Sequence, residues 1–435
     1  SLDDISFYAA EDADVVIELT EIFMKDLKKQ KLFNYFKSIE IDLLPVLIDM
    51  QFNGIFIDKD YLENRSNEIG KKIESLESEI IDLAGEEFNL NSSQQLAVIL
   101  FDKLKLPMIK KRSTAEAVLS ELKDKHPLPE LILSYRKLYK LKNTYLDPLP
   151  SYIIADTQRV HSSFNQTMTA TGRLSTSSPN FQNIPIRTED GKEIRKAIKA
   201  QSHEYQIFSA DYSQVELRVM AHLSGDESLI SALNNGEDIH TFTAKNIFNV
   251  DNDDMVLPEM RRIAKIVNFG IMYGAGPFRL SQELDIPFGE AKQIKDAYFQ
   301  KYRGIEQYIE NSKLQIKETK SVETLLGRKR AVWDSDSQNK IRRDAAERMA
   351  INMPIQGTAA EMIKLAMIKI HRQMNKENLK SKLIMQIHDE LLLEVHQDEI
   401  DYISKMVIEH MRDAMKLDVP IEIDFGVGPS WYEAH

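Results

Sequence analysis

The sequence contains no cysteine, which excludes disulfide bonds and thiolate chemistry and is typical of a reducing compartment. It has no run of 18 apolar residues and no signal-peptide pattern, so nothing in it predicts membrane insertion or secretion. Internal repeats and low-complexity tracts are also missing. These absences favour a soluble globular protein of the cytoplasm.

The composition predicts a sizeable core. Of the 435 residues, 43% are hydrophobic and 29% are charged, enough for two or three substructures. The 68 acidic and 56 basic residues give a net charge of −12, which by itself argues against nucleic acid as a partner. Binding to DNA depends on local basic patches, however, and basic stretches occur at 103–112, 135–142 and 327–330. Each stretch alone is more typical of a solvated surface than of a DNA-binding patch.

Two cations and two aromatics recur every fourth residue in the segment RRIAKIVNFGIMYG. On a helix, Arg261, Lys265, Phe269 and Tyr273 would form one stripe. The cations can neutralise a polyphosphate, and an aromatic face can stack on a base. A solvated basic helix with a buried aromatic end is the alternative. Gly270 costs about 1 kcal/mol relative to alanine inside a helix, which indicates that something approaches the backbone there.

A carboxylate is predicted at a strand-to-helix corner. The apolar residues 207–210 indicate a buried strand that ends at Asp211, and Ser213 is expected to open a helix. Ser213 and Glu216 have the spacing of a capping box, so a purely structural role would explain Glu216.

Two further acids are predicted at the tip of a hairpin. Residues 383–387 and 391–395 indicate strands on either side of His388, Asp389 and Glu390. If the sheet brings Asp211 to this tip, the carboxylates could hold two divalent metals roughly 3.5–4 Å apart. Mg²⁺ takes oxygen ligands and keeps several waters, so few carboxylates suffice. Turns commonly contain acids, and a structural tip is the alternative.

Several segments together resemble one known family. DYSQVELR at 211–218 resembles motif A of family A DNA polymerases, RRIAKIVNFGIMYG at 261–274 resembles motif B, and QIHDE at 386–390 resembles motif C. The segments at 169–187, 238–240, 347–361 and 426–435 are also similar to the bacterial DNA polymerase I branch of this family. The resemblance extends over essentially the whole chain.

The resemblance implies an α+β right-hand polymerase fold with an antiparallel-sheet palm, helical fingers and a helical thumb, preceded by a remnant of a 3′→5′ exonuclease domain. The implied segments are 1–30 for the exonuclease remnant, 31–57 for the palm–thumb connection, 58–151 for the thumb, 152–225 for the palm with motif A, 226–349 for the fingers and 350–435 for the palm with motif C. The partner acids of the exonuclease site would lie upstream, so proofreading is not expected.

The implied reaction is template-directed addition of dNTPs to a primer 3′-OH by two-metal-ion transfer, with release of pyrophosphate. The resemblance implies two Mg²⁺ ions, with Mn²⁺ able to substitute. The implied partners are primer–template duplex DNA and dNTPs. We expect a cytoplasmic monomer, associated with the nucleoid in a bacterium.

The resemblance also implies residue roles. Asp211 and Asp389 match the metal-binding aspartates, Glu390 is an acid beside them, and Lys265 would protonate the leaving pyrophosphate. Glu216 becomes a steric gate that fills the space of a ribose 2′-OH. The implied dNTP-binding set is Arg261, Lys265, Phe269, Tyr273, His240, Gln214 and Glu216. The implied DNA-binding set is Arg173, Asn180, Gln182, Asn183, Arg187, Arg136, Lys140, Arg348, Asn352, Gln356 and His388.

Local patterns predict several helix boundaries. Apolar residues from Leu62 to Leu83 predict a long amphipathic helix that ends at Gly85. Capping-box spacing predicts that Ser92 and Ser113 each open a helix. Prolines predict two more helix starts, near residue 127 and at residue 258.

Three rival functions remain open from the sequence. A single-subunit RNA polymerase uses similar carboxylates and a similar lysine, although Glu216 argues for deoxynucleotides. A metal-dependent nuclease could use clustered acids without the stripe of Arg261 and Lys265. A catalytically inactive DNA-binding relative would not require Asp211 and Asp389.

Overall fold

The computed structural model describes residues 2–184 and 189–435, without the side chains of residues 2–4, 189 and 190. The chain forms two compact units. The first contains the residues up to Gln51, Phe164–Ser175 and Ser209–Phe425; the second contains Phe52–Ser163, Thr176–Phe208 and Gly426–His435. Within the described ranges, no helix combines the length and the hydrophobicity needed to span a membrane.

Helices make up most of the described structure. In chain order they are α1 (Leu2–Lys29), α2 (Phe33–Tyr35), α3 (Asp42–Asn53), α4 (Lys59–Ala84), α5 (Ser93–Ala97), α6 (Glu116–Leu122), α7 (Leu128–Leu141), α8 (Glu189–Ala197), α9 (Val215–Ser224), α10 (Glu227–Asn234), α11 (Ile239–Phe248), α12 (Pro258–Met272), α13 (Pro277–Leu284), α14 (Phe288–Lys301), α15 (Arg303–Thr319), α16 (Lys340–Lys376), α17 (Ile400–Arg412) and α18 (Trp431–Ala434).

The strands are short except around one sheet. They are β1 (Ile55–Phe56), β2 (Ile153–Ile154), β3 (Arg159–Val160), β4 (Ser163–Asn165), β5 (Ser175–Ser177), β6 (Tyr205–Tyr212), β7 (Ser321–Glu323), β8 (Lys329–Ala331), β9 (Lys382–Ile387), β10 (Glu390–His396) and β11 (Ile423–Gly428). The mixture of helices with antiparallel strand pairs confirms the predicted α+β class.

The first unit is organised around a four-stranded sheet with the order β11-β6-β10-β9. Strands β9 and β10 pair antiparallel with Glu390 opposite Ile387, which confirms the predicted hairpin. The long helix α16 packs against α9, α15 and α17, and most of its central residues are buried. An antiparallel hairpin of β7 and β8 also contacts α16 through β7.

The second unit contains the three-stranded sheet β1-β3-β2 and the packed helices α4 and α7. Helix α4 begins after Asp58, whose carboxylate accepts a hydrogen bond from the Tyr61 amide, and ends at Gly85 with φ +69°. Glycine tolerates this left-handed conformation, as the helix-end prediction required. Leu62, Ile69, Ile73 and Ile80 are buried, whereas Leu83 is exposed. The predicted amphipathic helix is therefore confirmed, with Leu76 only partly buried and the last apolar position, Leu83, outside the core.

The capping predictions had mixed outcomes. Ser92 caps α5 by accepting a hydrogen bond from the Gln95 amide at 3.3 Å, as predicted. The prediction for Ser113 is wrong: α6 begins at Glu116 behind Ala115, and the Ser113 hydroxyl instead accepts from the Ala115 amide at 3.3 Å. A serine can make this local turn instead of a cap, and the pattern alone does not distinguish the two.

Candidate active site

Asp211 and Asp389 lie at one corner of the sheet. Strands β6 and β10 are neighbours, and the Tyr212 amide donates a hydrogen bond to the Asp389 carbonyl at 3.2 Å. The Ser209 hydroxyl donates to the Glu390 carboxylate at 2.5 Å. The sheet thus brings together the two acidic positions that are 178 residues apart in the chain, as the sequence predicted. Glu390 is only 3% exposed and contributes to the packing behind the corner.

The hairpin tip has an uncommon backbone conformation. His388 and Asp389 connect β9 to β10, and His388 has φ +51°. Non-glycine residues with positive φ are rare, and such conformations concentrate at functional sites. The Gln386 amide group donates to the His388 carbonyl at 2.5 Å, which fixes the turn. The side chain of His388 is exposed, so its predicted contact with DNA is sterically open.

The Asp389 carboxylate has little compensating positive charge. Burial is the largest cause that raises its pKa, Arg173 lowers it, Glu216 raises it by a smaller amount, and the resulting pKa is about 6. The Arg173 guanidinium is 3.9 Å from the Asp389 carboxylate. A divalent cation would supply the missing charge, and the oxygen donors of two aspartates suit Mg²⁺. No group of three or more His, Cys, Asp or Glu side chains suited to a metal occurs within residues 2–184 and 189–435. Water and substrate oxygens would have to complete the coordination.

Glu216 is bound by two other site residues. Its buried carboxylate accepts a hydrogen bond from Arg173 at 2.5 Å and another from the Tyr273 hydroxyl. Burial and the neighbouring Glu216 raise the pKa of Tyr273, so the phenol stays protonated and donates.

The capping-box interpretation of Ser213 and Glu216 is wrong. Helix α9 begins at Val215, and its N-cap is Gln214, with φ +52° and no side-chain cap. The Ser213 amide donates instead to the Glu422 carbonyl at 2.9 Å. The Glu216 carboxylate therefore binds Arg173 and Tyr273, which are distant in the chain, and does not cap the helix.

Helix α12 carries the predicted stripe. Arg261, Lys265 and Phe269 lie on the helix, and Tyr273 follows its last residue. The ring centroids of Phe269 and Tyr273 are 6.4 Å apart. Arg261 forms an ion pair with Asp238 at 2.6 Å. Lys265 is exposed and makes no hydrogen bond or ion pair with any residue that the structure describes, so its ammonium group can accept an anionic ligand.

The need for glycine at position 270 is explained by packing within the chain itself. A Cβ atom at this position would lie 3.0 Å from a methyl carbon of Leu280 and 3.6 Å from the Ala275 Cβ. The close approach inferred from the sequence is therefore made by the chain that follows α12, and it does not by itself indicate a ligand.

His240 is a buried, neutral group. It is 2% exposed, and its Nδ1 accepts a hydrogen bond from the Asn268 amide at 3.1 Å. Burial is the largest cause that lowers its pKa; Asp238 raises it, the cations Arg261 and Lys265 lower it as well, and the resulting pKa is about 4. A contact with phosphate would require the ring to become accessible, so this role stays a prediction.

Three predicted DNA contacts lie on one face of α16. Arg348, Asn352 and Gln356 are spaced four residues apart. Gln356 lies beside the Tyr273 hydroxyl, and the Arg348 side chain packs against Gly274. The buried amide oxygen of Asn352 has no hydrogen-bond partner in the described part of the chain, which leaves an acceptor for a ligand donor.

The remaining DNA candidates belong to the second unit. Lys140, Asn180 and Asn183 line one cavity of about 440 Å³. Asn180 caps a 3₁₀ turn that carries Gln182. Arg136 donates to the Thr114 carbonyl at 2.6 Å, which indicates a structural role. Arg187 lies outside the described residues.

The sequence interpretation gave no role to two supporting residues, although both lie in segments that carry the family resemblance. Asp238 caps α11 and holds Arg261 through the ion pair described above; burial raises its pKa, but hydrogen bonds from Arg261 and Thr241 outweigh this and lower it to about 2. Arg218 is buried and donates to the Ser213 carbonyl at 2.9 Å and to the Pro420 carbonyl at 2.6 Å, which fixes the turn after Asp211. An N-cap pattern could have identified Asp238, whereas no local signal identifies Arg218.

Several known proteins that are similar to this chain are described as DNA polymerase I. The chain is 43% identical over 438 residues to DNA polymerase I of Bacillus subtilis, covering 100% of this chain and 50% of that protein. It is 48% identical over 411 residues to the thermostable DNA polymerase I of Thermus filiformis, covering 93% of this chain and 49% of that one. The chain thus spans about half the length of the curated relatives it matches.

A solved structure has the same fold. The POL domain of Pol1 from M. smegmatis, in complex with DNA primer-template and dNTP, superposes with a TM-score of 0.92 at 39% sequence identity. The match covers 96% of this chain and 74% of the other. This confirms the predicted family A polymerase fold. The family model described as DNA polymerase family A matches residues 59–433, and this chain belongs to that family.

Proposed function

We propose that this chain is a template-directed DNA polymerase that extends a primer 3′-OH with dNTPs and releases pyrophosphate. One chain of contacts supports the proposal. Tyr273, at the end of α12, is bonded to Glu216; Glu216 is bonded to Arg173; and Arg173 lies 3.9 Å from Asp389. A base-stacking ring, a sugar-facing acid and a metal-binding corner are thereby adjacent.

Asp211 and Asp389 are the proposed metal ligands, and Mg²⁺ is the proposed ion, with Mn²⁺ as a substitute. When bound, two such ions would lower the pKa of the attacking hydroxyl and neutralise charge on the phosphates. Burial around Asp389 strengthens its attraction for a divalent cation, since Arg173 is the one positive charge that the described residues place near the carboxylate.

The residues of α12 and α9 would act on the nucleotide. Lys265 is exposed and unpaired within the described ranges, so it is the proposed donor of a proton to pyrophosphate. Arg261 would contact the triphosphate after exchanging its ion pair with Asp238. Phe269 and Tyr273 would pack on the sugar and the base. Glu216 would occupy the volume that a ribose 2′-OH needs.

The proposed partners are primer–template duplex DNA and dNTPs, bound by a monomer in the cytoplasm. We retain as a proposal the segmentation into thumb at 58–151, fingers at 226–349 and palm in the flanking segments. Lys140, Arg348, Asn352 and Gln356 are the proposed duplex contacts. Since these contacts include cations on phosphates, binding should weaken with added salt.

Extension of a labelled primer–template with dNTPs and Mg²⁺ tests the proposal. The wild-type chain should lengthen the primer, Lys265→Ala should extend it far more slowly, and the exposed Lys292→Ala on α14 should match wild type. Shortening of the primer without extension would indicate a nuclease instead. Preferential use of NTPs would indicate an RNA polymerase.

A further inference from the structure

Residues 166–172 lead to Arg173. Glu40 contacts the start of this segment, and Arg328 contacts its end. At its start, the Gln166 amide group donates to the Glu40 carbonyl at 3.0 Å and to the Glu40 carboxylate at 2.8 Å. Near its end, Gly172 has φ +83°, and a Cβ atom there would lie 2.9 Å from the Arg328 Nε. The Arg328 side chain therefore packs directly against the backbone next to Arg173.

Glu40 fixes the Arg328 side chain. The Arg328 guanidinium donates to the Glu40 carboxylate at 3.1 Å, and Lys364 donates to the same carboxylate at 2.9 and 3.2 Å. Lys364 is 1% exposed and Glu40 is 16% exposed. Buried charges of this kind are costly to separate, because each would lose its partner without regaining water. The side chains of Glu40, Arg328 and Lys364 are therefore fixed relative to one another.

The backbone of Arg328 is fixed as well. Its amide donates to the Thr324 hydroxyl, and the Thr324 amide donates back to its carbonyl, both at 3.0 Å. The Thr324 hydroxyl donates to Glu361 on α16. A Cβ at Gly357 of the same helix would lie 3.2 Å from the Thr171 carbonyl. Helix α16, the loop between β7 and β8, and residues 171–173 are thus in direct contact.

We propose that Arg328, held by Glu40, is a positioning residue for Arg173. It supports the backbone at Gly172 so that the Arg173 guanidinium reaches Glu216 at 2.5 Å and stays near Asp389. This role rests on the proposed function, because it is a role in primer extension. Arg328 itself contacts neither Glu216 nor the aspartates in any hydrogen bond or ion pair of the described residues.

A double-mutant cycle tests this role. Single-turnover extension of a matched primer is measured for wild type, Arg328→Ala, Arg173→Ala and the double variant, with thermal unfolding of each. In the wild-type background, Arg328→Ala should lower kcat/KM by about tenfold or more, because a small displacement of a positioned group costs this much or more. In the Arg173→Ala background, the same change should cost less than about twofold. Equal losses in the two backgrounds would overturn the role.

Three controls separate positioning from other effects. Lys317→Ala removes an exposed cation on α15, outside the basic stretches of the sequence, and should leave kcat/KM unchanged. A direct contact of Arg328 with a phosphate would reduce the salt slope of primer–template binding by about 1, whereas positioning leaves the slope unchanged. Arg328→Lys keeps a cation beside Glu40 but loses the planar group under Gly172, so the same cycle can be run if Arg328→Ala unfolds.

The outcomes for this role and for the proposed function are distinct. If the wild-type chain does not extend a primer at all, the proposed function fails, and this role with it. If wild type extends but Arg328→Ala and Arg328→Lys equal wild type, or if their losses persist without Arg173, only the positioning role is rejected.

Discussion

The Tyr273 hydroxyl donates a hydrogen bond to the Glu216 carboxylate and so connects the end of α12 to the first turn of α9. The two residues are 57 positions apart in the chain. Because Glu216 is also bound by Arg173, its carboxylate is held over the corner that contains Asp211 and Asp389. The steric gate proposed for Glu216 is therefore a fixed group rather than a mobile side chain.

Replacement of Glu216 tests sugar discrimination. Glu216→Ala opens the space next to the proposed sugar position, so the ratio of kcat/KM for an NTP to that for the matching dNTP should rise roughly 100-fold. Single-nucleotide insertion with each substrate measures the ratio. Exposed Glu290→Ala is the control and should leave it unchanged. Tyr273→Phe keeps the ring but removes the hydrogen bond, so a smaller rise is expected. An unaltered ratio in Glu216→Ala would exclude the gate.

Replacement of the aspartates tests the metal site. Asp211→Asn and Asp389→Asn each remove a carboxylate charge, and metal ions contribute several kcal/mol to such transfers, so the extension rate should fall roughly 1,000-fold or more. Affinity for the primer–template should stay close to wild type, because the contacts proposed for the DNA phosphates lie elsewhere. Single-turnover extension and a DNA-binding titration measure the two quantities. Asp413→Asn, exposed and paired with Arg412, is the control. Extension at the wild-type rate would refute the assignment.

The buried Glu361 should make stability depend on pH. Burial raises its pKa from 4.5 to about 7, although hydrogen bonds from the Thr324 hydroxyl and the Leu326 amide oppose the change. Between about pH 4.5 and 7 the folded chain therefore keeps a proton that the unfolded chain has lost, so this group lowers the free energy of unfolding as pH rises through that window. The full effect is at most about 3 kcal/mol.

Glu361→Gln removes this dependence. The free energy of unfolding of Glu361→Gln minus that of wild type should therefore increase from pH 5 to pH 8 in denaturant titrations. The exposed Glu318→Gln should show a constant difference. If the Glu361→Gln difference is also constant across this range, the carboxyl is already ionised at pH 5 and the raised pKa is wrong.

Lys140 and Arg136 should have different effects although both are on α7. Lys140 is exposed, so Lys140→Ala should reduce the slope of log affinity for primer–template against log salt by about 1 without changing stability. Arg136 donates to the buried Thr114, so Arg136→Ala should lower the free energy of unfolding by about 1–3 kcal/mol. Binding titrations at several salt concentrations and chemical denaturation measure these effects. The two roles would be contradicted if Lys140→Ala lowered the stability without changing the salt slope and Arg136→Ala changed the salt slope without lowering the stability.

Local patterns predicted the elements well where packing agreed with them. The hairpin of β9 and β10 followed from two apolar runs around a polar tip, and α12 followed from Pro258 and the four-residue spacing. The pattern at Ser213 and Glu216 failed, because two distant groups bind the carboxylate and leave no role for it at the helix start. Gly270 pointed correctly to a close approach, but only the structure identifies Leu280 as its source.

The amino-acid sequence by itself determined the main strands, turns and helices and the motifs they carry, though not every helix start, since periodicity and turn chemistry act over a few residues. Only the tertiary structure decided the partners of the site residues: Glu216 with Arg173 and Tyr273, Arg261 with Asp238, and Glu40 with Arg328. It also decided that His240 is neutral and that the Asp389 pKa is raised. The reason is physical, because desolvation and charge pairing depend on atoms that are far apart in the chain and meet only when it packs.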